Sequence, residues 1–234
     1  MKKFRGFLAF VLTAAVVLTA SLAGSAQGTS TVTQVGLENF VYHYQELLSE
    51  LVILQLGDEN RAAVEQLGPE HIAGLSQIGE RNYLEIWQLG QRDLVLAVQN
   101  GGGNDAKVSQ MHSPEGATGV SDNDAFSYQG GMYNTLNLLQ VGDENTASIY
   151  QIDSHNEVFV VQEQSPLGAG KNAALIVQAG LNNWTSAVQL GAHHLLRSLQ
   201  VGDDNSSTIM QSGQENRVSV VQDGSKNVFS AIQS

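Results

Sequence analysis

Eighteen glutamines set the frame of this 234-residue chain: Gln34, Gln45, Gln55, Gln66, Gln77, Gln88, Gln99, Gln110, Gln129, Gln140, Gln151, Gln162, Gln178, Gln189, Gln200, Gln211, Gln222 and Gln233. Of the seventeen intervals between them, fourteen are eleven residues long; the others are ten (Gln45 to Gln55), nineteen (Gln110 to Gln129) and sixteen (Gln162 to Gln178). A fixed period sustained along a chain is the signature of a stack of like units, in which each unit touches only its neighbours.

The stretch Leu136–Gln162 displays the unit. Gln140, Gly142 and Asn145 form Q-x-G-x-x-N, and Gln151, Asp153 and Asn156 form Q-x-D-x-x-N. Between Asn and the next Gln the residues alternate: Asn145, Ala147, Ile149 and Gln151 share one face, and Thr146, Ser148 and Tyr150 the other. Period-two alternation predicts a strand. The glycine two residues after Gln supplies the bend, as at Gly57, Gly79, Gly142, Gly180 and Gly202.

Numbered from Gln34, the three irregular intervals are the second, eighth and twelfth, all even. If each interval is one strand and one bend, two intervals close a coil of about 22 residues, and every irregularity falls on one edge. The first edge is uniform, with Asn39, Asn60, Asn82, Asn104, Asn134, Asn156, Asn183, Asn205 and Asn227 five residues after the Gln. The second carries Ser49, His71, Asp93, Asn123, Asn145, Asn172, His194 and Asn216. The expected fold is all-β: a β-solenoid of stacked two-strand β-arches, about 22 residues per coil and about nine coils, with two layers of parallel sheet. Inward positions are Asn60, Ala62, Val64 and Gln66 in one half-repeat, and Asn156, Val158, Val160 and Gln162 in another. A buried amide without a partner costs about 1–3 kcal/mol. Stacked Gln and Asn avoid that cost by bonding their counterparts above and below, so the residue type has to recur.

Residues 1–26 read as a secretory signal: Lys2, Lys3 and Arg5, an apolar run from Phe7 to Leu22, then small residues suiting cleavage after Ala26. A membrane anchor is the competing reading, and no other run approaches the ~20 apolar residues a span requires. The remainder, 27–234, reads as one repeat domain with loop insertions near 111–122 and 163–171, each carrying Pro and Gly. Formal charge is -12, and removing three bases takes it to about -15, which disfavours nucleic acid and anionic membrane as partners. There are no cysteines, so an exported chain must rely on backbone pairing rather than disulfides.

Signals for chemistry are weak. No nucleophile elbow, zinc-helix motif or phosphate loop appears, and no enzyme or cofactor is expected. His193 and His194 are adjacent at a bend, His43 and His71 stand singly, and all four read as solvated or structural rather than metal-binding. Acidic residues crowd the bends and are assigned to the first edge: Glu38, Asp58, Glu59, Glu80, Asp143, Glu144, Asp203, Asp204 and Asp223. Stacked, they would repel and slow premature assembly; calcium between carboxylates is the sharper alternative, without the spacing of calcium solenoids. Tyr83, Trp87, Tyr150, Phe159 and Trp184 fall at outward positions. Sequons at Asn183 and Asn205 coincide with the inward ladder, so the match reads as accidental.

The pattern S-x5-Q-x-G-x-x-N-x-A-x3-Q resembles the curlin repeat of curli, the extracellular amyloid fibres of bacteria. Ser49, Gln55, Gly57, Asn60, Ala62 and Gln66 match every named position, and Gln99, Gly101, Asn104, Ala106 and Gln110 match all but the Ser. The resemblance runs from about Thr33 to Gln233. It implies a secreted, cell-surface fibre subunit, major or nucleating, that crosses an outer-membrane pore unfolded and folds on a growing fibre end. Its partners would be itself, related curlin subunits, and the secretion and accessory proteins of that system. A monomeric β-solenoid adhesin or surface-binding module is the alternative.

Overall fold

The computed structural model describes residues 18–23, 28–112, 122–164 and 170–234. The leader read over 1–26 lies outside the described residues except for Leu18–Ala23, and so do the interiors of the two insertions. Among the described residues there are nineteen strands and no helix; none could therefore cross a membrane as a helix.

The strands are β1 (Leu18–Ala23), β2 (Thr29–Val35), β3 (Phe40–Glu46), β4 (Glu50–Leu56), β5 (Arg61–Leu67), β6 (Ile72–Glu80), β7 (Tyr83–Leu89), β8 (Leu94–Gly102), β9 (Asp105–Met111) and β10 (Asp124–Met132). They continue as β11 (Thr135–Val141), β12 (Thr146–Ile152), β13 (Glu157–Glu163), β14 (Ala173–Ala179), β15 (Trp184–Ala192), β16 (Leu195–Val201), β17 (Ser206–Gln214), β18 (Arg217–Asp223) and β19 (Val228–Gln233). Even-numbered strands form one sheet, β2 to β18 in order with β1 on its outer side, and β3 to β19 form the other. Every pair is parallel except β1–β2, which is antiparallel. This is a β-solenoid of nine coils, as the period requires.

Register never slips. Gln55 pairs with Gln77, Gln77 with Gln99 and Gln99 with Gln129, so the eight-residue excess of the longest interval leaves the sheet undisturbed. Both long intervals sit on the edge that leads from the odd sheet back to the even one, between β9 and β10 and between β13 and β14. Most strands turn two apolar side chains inward, such as Ala62 and Val64 or Leu84 and Ile86, all within 1% of full burial, while Ser30, Ser127, Thr185, Ser198 and Ser207 take one of the two places in their strands. An Asn-type residue and a Gln close the ends of that thin core, and the inward set expected from Asn156, Val158, Val160 and Gln162 is fully buried.

Each bend of the first edge holds two left-handed residues. One is the glycine two after Gln, at φ 108° in Gly57 and 115° in Gly79; the other lies just before the Asn, as in Glu59 (φ 56°) and Asp204 (φ 57°). Asp153 occupies the glycine position at φ 75°. Glycine is required there for a second reason: a Cβ on Gly79 would lie 1.9 Å from the carbonyl oxygen of Gly101 in the next coil. Gly224, in the last coil, would meet nothing nearer than Asn227 Nδ2 at 3.7 Å. Gly79→Ala is thus expected to lower unfolding free energy by about 3 kcal/mol or more, combining backbone strain and overpacking. Gly224→Ala retains only the strain, about 1–3 kcal/mol. Urea unfolding of freshly prepared monomer checks the difference, and equal losses would mean that strand stacking does not select glycine.

The candidate functional site: side-chain ladders and stack ends

Both sheets carry an unbroken glutamine ladder. In the even sheet each Nε2 donates to the Oε1 of the following coil, from Gln34→Gln55 (2.6 Å) through Gln77→Gln99 (2.8 Å) and Gln151→Gln178 (3.2 Å) to Gln200→Gln222 (2.8 Å). The odd sheet repeats this from Gln45→Gln66 (2.6 Å) to Gln211→Gln233 (3.4 Å). Nε2 has a second proton, and it goes to a backbone carbonyl of the facing sheet, as in Gln77→Arg61 (2.9 Å) and Gln99→Tyr83 (2.8 Å). One amide therefore ties each coil to the next and each sheet to its partner. The site glutamines Gln55, Gln66, Gln88, Gln110, Gln129, Gln140, Gln162, Gln189 and Gln222 all belong to these two columns and are buried.

The first edge carries an asparagine ladder of opposite sense. Asn82 directs its backbone N–H (3.2 Å) and its Nδ2 (2.9 Å) onto Asn60 Oδ1 in the preceding coil, and Nδ2 also reaches the Gly101 carbonyl in the following one (3.0 Å). Asn104, Asn134, Asn156, Asn183, Asn205 and Asn227 repeat the bond to the coil before. Asn183 and Asn205 are fully buried in it, which leaves their sequons out of reach of a glycosylating enzyme.

The second edge is a patchwork. Asn145 bonds back to Asn123 (3.1 Å), but its own Oδ1 is buried without a partner, so the row breaks between Asn145 and Asn172. The insertion at 164–171 lies in that same step, and Gln164 pins it by accepting from Asp143 N–H (2.7 Å) and donating to Gly170 (2.7 Å). His71 and His194 stand in for asparagine. Nδ1 accepts the backbone N–H of Asp93 or Asn216 (3.3 Å each), and Nε2 approaches Leu67 or Leu190 carbonyl (3.3 and 3.1 Å). Those contacts suit a ring that carries a proton on Nε2, and at His71 the Asp93 carboxylate also lies 3.4 Å from Nδ1. His193 points away into solvent, so the adjacent histidines do not converge.

Acidic residues are placed differently from the sequence reading. Asp143 and Glu144 lie on the second edge, between β11 and β12, whereas Asp58, Glu59, Asp203 and Asp204 lie on the first. They do not simply repel. Asp58 accepts the Leu37 N–H (2.7 Å) and Asp203 the Leu181 N–H (3.0 Å), and Glu59 pairs with Arg81 (2.9 Å), each across one coil. Among the described residues no three His, Cys, Asp or Glu come close enough to hold a metal. Sequence reasoning missed Thr185, whose buried hydroxyl accepts from Gln178 (3.2 Å) and donates to Gln200 (2.9 Å) across the core. It also undercounted the bend glycines, since Gly36, Gly68, Gly90, Gly101, Gly131, Gly191, Gly213 and Gly224 also have positive φ; their place two residues after a ladder Gln was the available signal.

Ladder polarity makes the two ends unlike. At the first coil the Oε1 atoms of Gln34 and Gln45 face outward; at the last, the Nε2 side of Gln222 and Gln233 and the Oδ1 of Asn227 do so. At that last coil Val221, Val228 and Ile232 are 69–81% exposed.

Asn156→Leu strips partners from Asn183 N–H and the Gly180 carbonyl at once, while Asn134 Oδ1 keeps only the backbone N–H of residue 156. At about 1–3 kcal/mol for each stranded group, a loss of about 3 kcal/mol or more is expected, against about 1–2 kcal/mol for Asn145→Leu, whose Oδ1 bonds nothing; chemical denaturation measures both. Burial holds the His71 pKa below the ordinary 6.5. The unfolded chain therefore takes up more protons as pH falls below about 6.5, and stability declines there until the lowered native value is passed. The urea midpoint should drop on acidification, and His71→Asn should flatten the slope, leaving the part due to His43, which burial also lowers.

The family model of the curlin associated repeat matches residues 199–233, the last three strands and the bends between them. No curated protein and no solved structure matches the chain. Gln200, Gly202, Asn205, Gln211, Gly213, Asn216, Gln222 and Gln233 in the matched segment occupy the same columns as their counterparts in every earlier coil. Residues 199–233 thus match a curlin associated repeat, and the earlier coils are similar to that segment column by column.

Proposed function

We propose that this chain is a secreted structural subunit of a curli-like extracellular amyloid fibre, added end to end by strand pairing and supporting adhesion and biofilm matrix. The observation that carries this reading is the complementarity of the two ends. A second copy continues the register with its β2 on β18 and its β3 on β19. Gln222 and Gln233 then donate to the incoming Gln34 and Gln45, and the incoming Asn39 donates to Asn227 Oδ1, as each coil does to the next. Such a contact is heterologous and does not close, so it propagates as a filament.

Removal of the leader at Ala26 fits the same picture. Leu18–Ala23 pairs antiparallel along the outer edge of β2, and its loss opens that edge as a template. Related curlin subunits with the same columns would be accepted at either end, and secretion and accessory proteins of the curli type would deliver the chain unfolded. A stack of this kind acts as a structural element, with no catalytic part assigned to any of its side chains.

The free edge can be blocked without touching the fold. Because Asn227 C=O and Asn216 C=O face inward to Ser206 and Leu195, alternation turns Ser230 and Ser219 N–H toward the open side of β19 and β18. Proline is tolerated where the lost N–H faces away from the sheet. Chains of 27–234 carrying Ser219→Pro and Ser230→Pro are expected to fold, to stop growth at the C-terminal end, and to slow seeded elongation of wild-type chain when added at low molar fraction. Normal elongation would remove this end from the mechanism, and a wild-type chain that stays monomeric, dye-negative and unable to seed would point to a solenoid binding module instead.

A further inference from the structure

The outer faces of the two sheets differ in kind. Outward side chains of β3 to β17 include the charged residues Glu46, Arg61, Glu65, Glu85, Asp105, Lys107, Glu157 and Glu163, whereas those of β2 to β18 include Glu50, Asp124, Arg197, Arg217 and Asp223, with Glu80 at the very end of β6. The rest of the even face is largely apolar: Val52, Ile72, Leu96, Ile152, Leu175 and Leu199 are each more than a third exposed. Unshifted register aligns these positions in straight columns along the whole stack.

We propose that the even face is the site at which two copies of this chain pair laterally, face to face, with their stack axes antiparallel. Size is the first argument. Nine strands about 4.8 Å apart and seven residues long, at about 3.3 Å per residue, give a face of roughly 800–1,000 Å². Each partner of a standard stable interface contributes about 800 Å². Charge is the second argument. Glu50 lies on β4 near one end of the face, and Arg197 and Arg217 lie on β16 and β18 at the other. Antiparallel pairing sets each Glu50 against the arginine end of the partner, whereas parallel pairing sets like against like. Asp124, on the middle strand β10, meets its own copy across the two-fold axis and is the one unfavourable contact. The ladders and ends are not used, so lateral pairing proceeds beside end-to-end growth and independently of it.

The test uses chain 27–234, by sedimentation of freshly prepared soluble protein and by filament width in electron micrographs. Wild type is expected to dimerise and to form filaments two stacks wide. Leu96→Lys with Leu175→Lys should abolish the dimer and halve filament width without stopping filament growth, while Phe159→Lys with Met210→Lys, on the odd face, should change neither. Glu50→Arg should weaken the dimer at least tenfold, and adding Arg197→Glu and Arg217→Glu should restore it to within about threefold; Asp124→Asn should tighten it. A monomeric wild type with filaments one stack wide, or equal effects from variants of the two faces, overturns the proposal. Failure of the charge swap to restore pairing overturns the antiparallel arrangement. If filaments fail to form but the soluble dimer responds as stated, end-to-end growth is wrong and lateral pairing stands.

Discussion

Most side-chain amides buried in this thin core bond the same amide one coil away. That pairing governs the rest of the architecture. It demands parallel strands, because antiparallel neighbours would not bring like residues together, and it demands zero register shift. It also keeps the core thin, since each Gln must reach both the next coil and the carbonyl of the facing sheet. Apolar packing contributes at most two side chains per strand, and those positions can vary among Ala, Val, Leu and Ile, or hold Ser or Thr, because the ladders, rather than the hydrophobic contacts, fix the alignment.

Most of the fold could be read from spacing. Eleven-residue intervals with irregularities of one parity are enough to give coil length, coil number and the distinction between two edges, and the structure places Asn156 and Asn145 on the edges so assigned. What spacing could not give was which partner a polar bend residue would find. Asp58 and Asp203 look like surplus surface charge in the sequence, yet each caps a backbone N–H in the preceding coil. The assignment of Asp143 and Glu144 to the first edge failed because it followed the recurring G-D-E-N string rather than the interval count. Thr185 was invisible for a related reason: its role is set by Gln178 and Gln200 in the opposite sheet, and no local pattern encodes a partner across the core.

The tolerant edge obeys the same rule as the strict one, with different chemistry. A neutral imidazole offers an acceptor on one nitrogen and a donor on the other, which is the pair of functions an asparagine side chain supplies to its row. His71 and His194 can therefore enter where Asn stands elsewhere, and His71 brings a titration that Asn lacks. The step at Asn145, where the acceptor has no donor, coincides with the 164–171 insertion. The longer insertion, near 111–122, leaves its step intact, since Asn123 still bonds Asp93 across it.

The opposed sense of the two ladders bears on how long such a stack can become. Gln side-chain carbonyls face the first coil and Asn side-chain carbonyls face the last. Aligned amide dipoles add along an axis, as they do in a helix, and a column of one sense would carry opposite partial charges at its two ends. Columns of opposite sense offset one another. The residual charge at either end of the stack is then small, so the hundredth coil meets much the same field as the tenth.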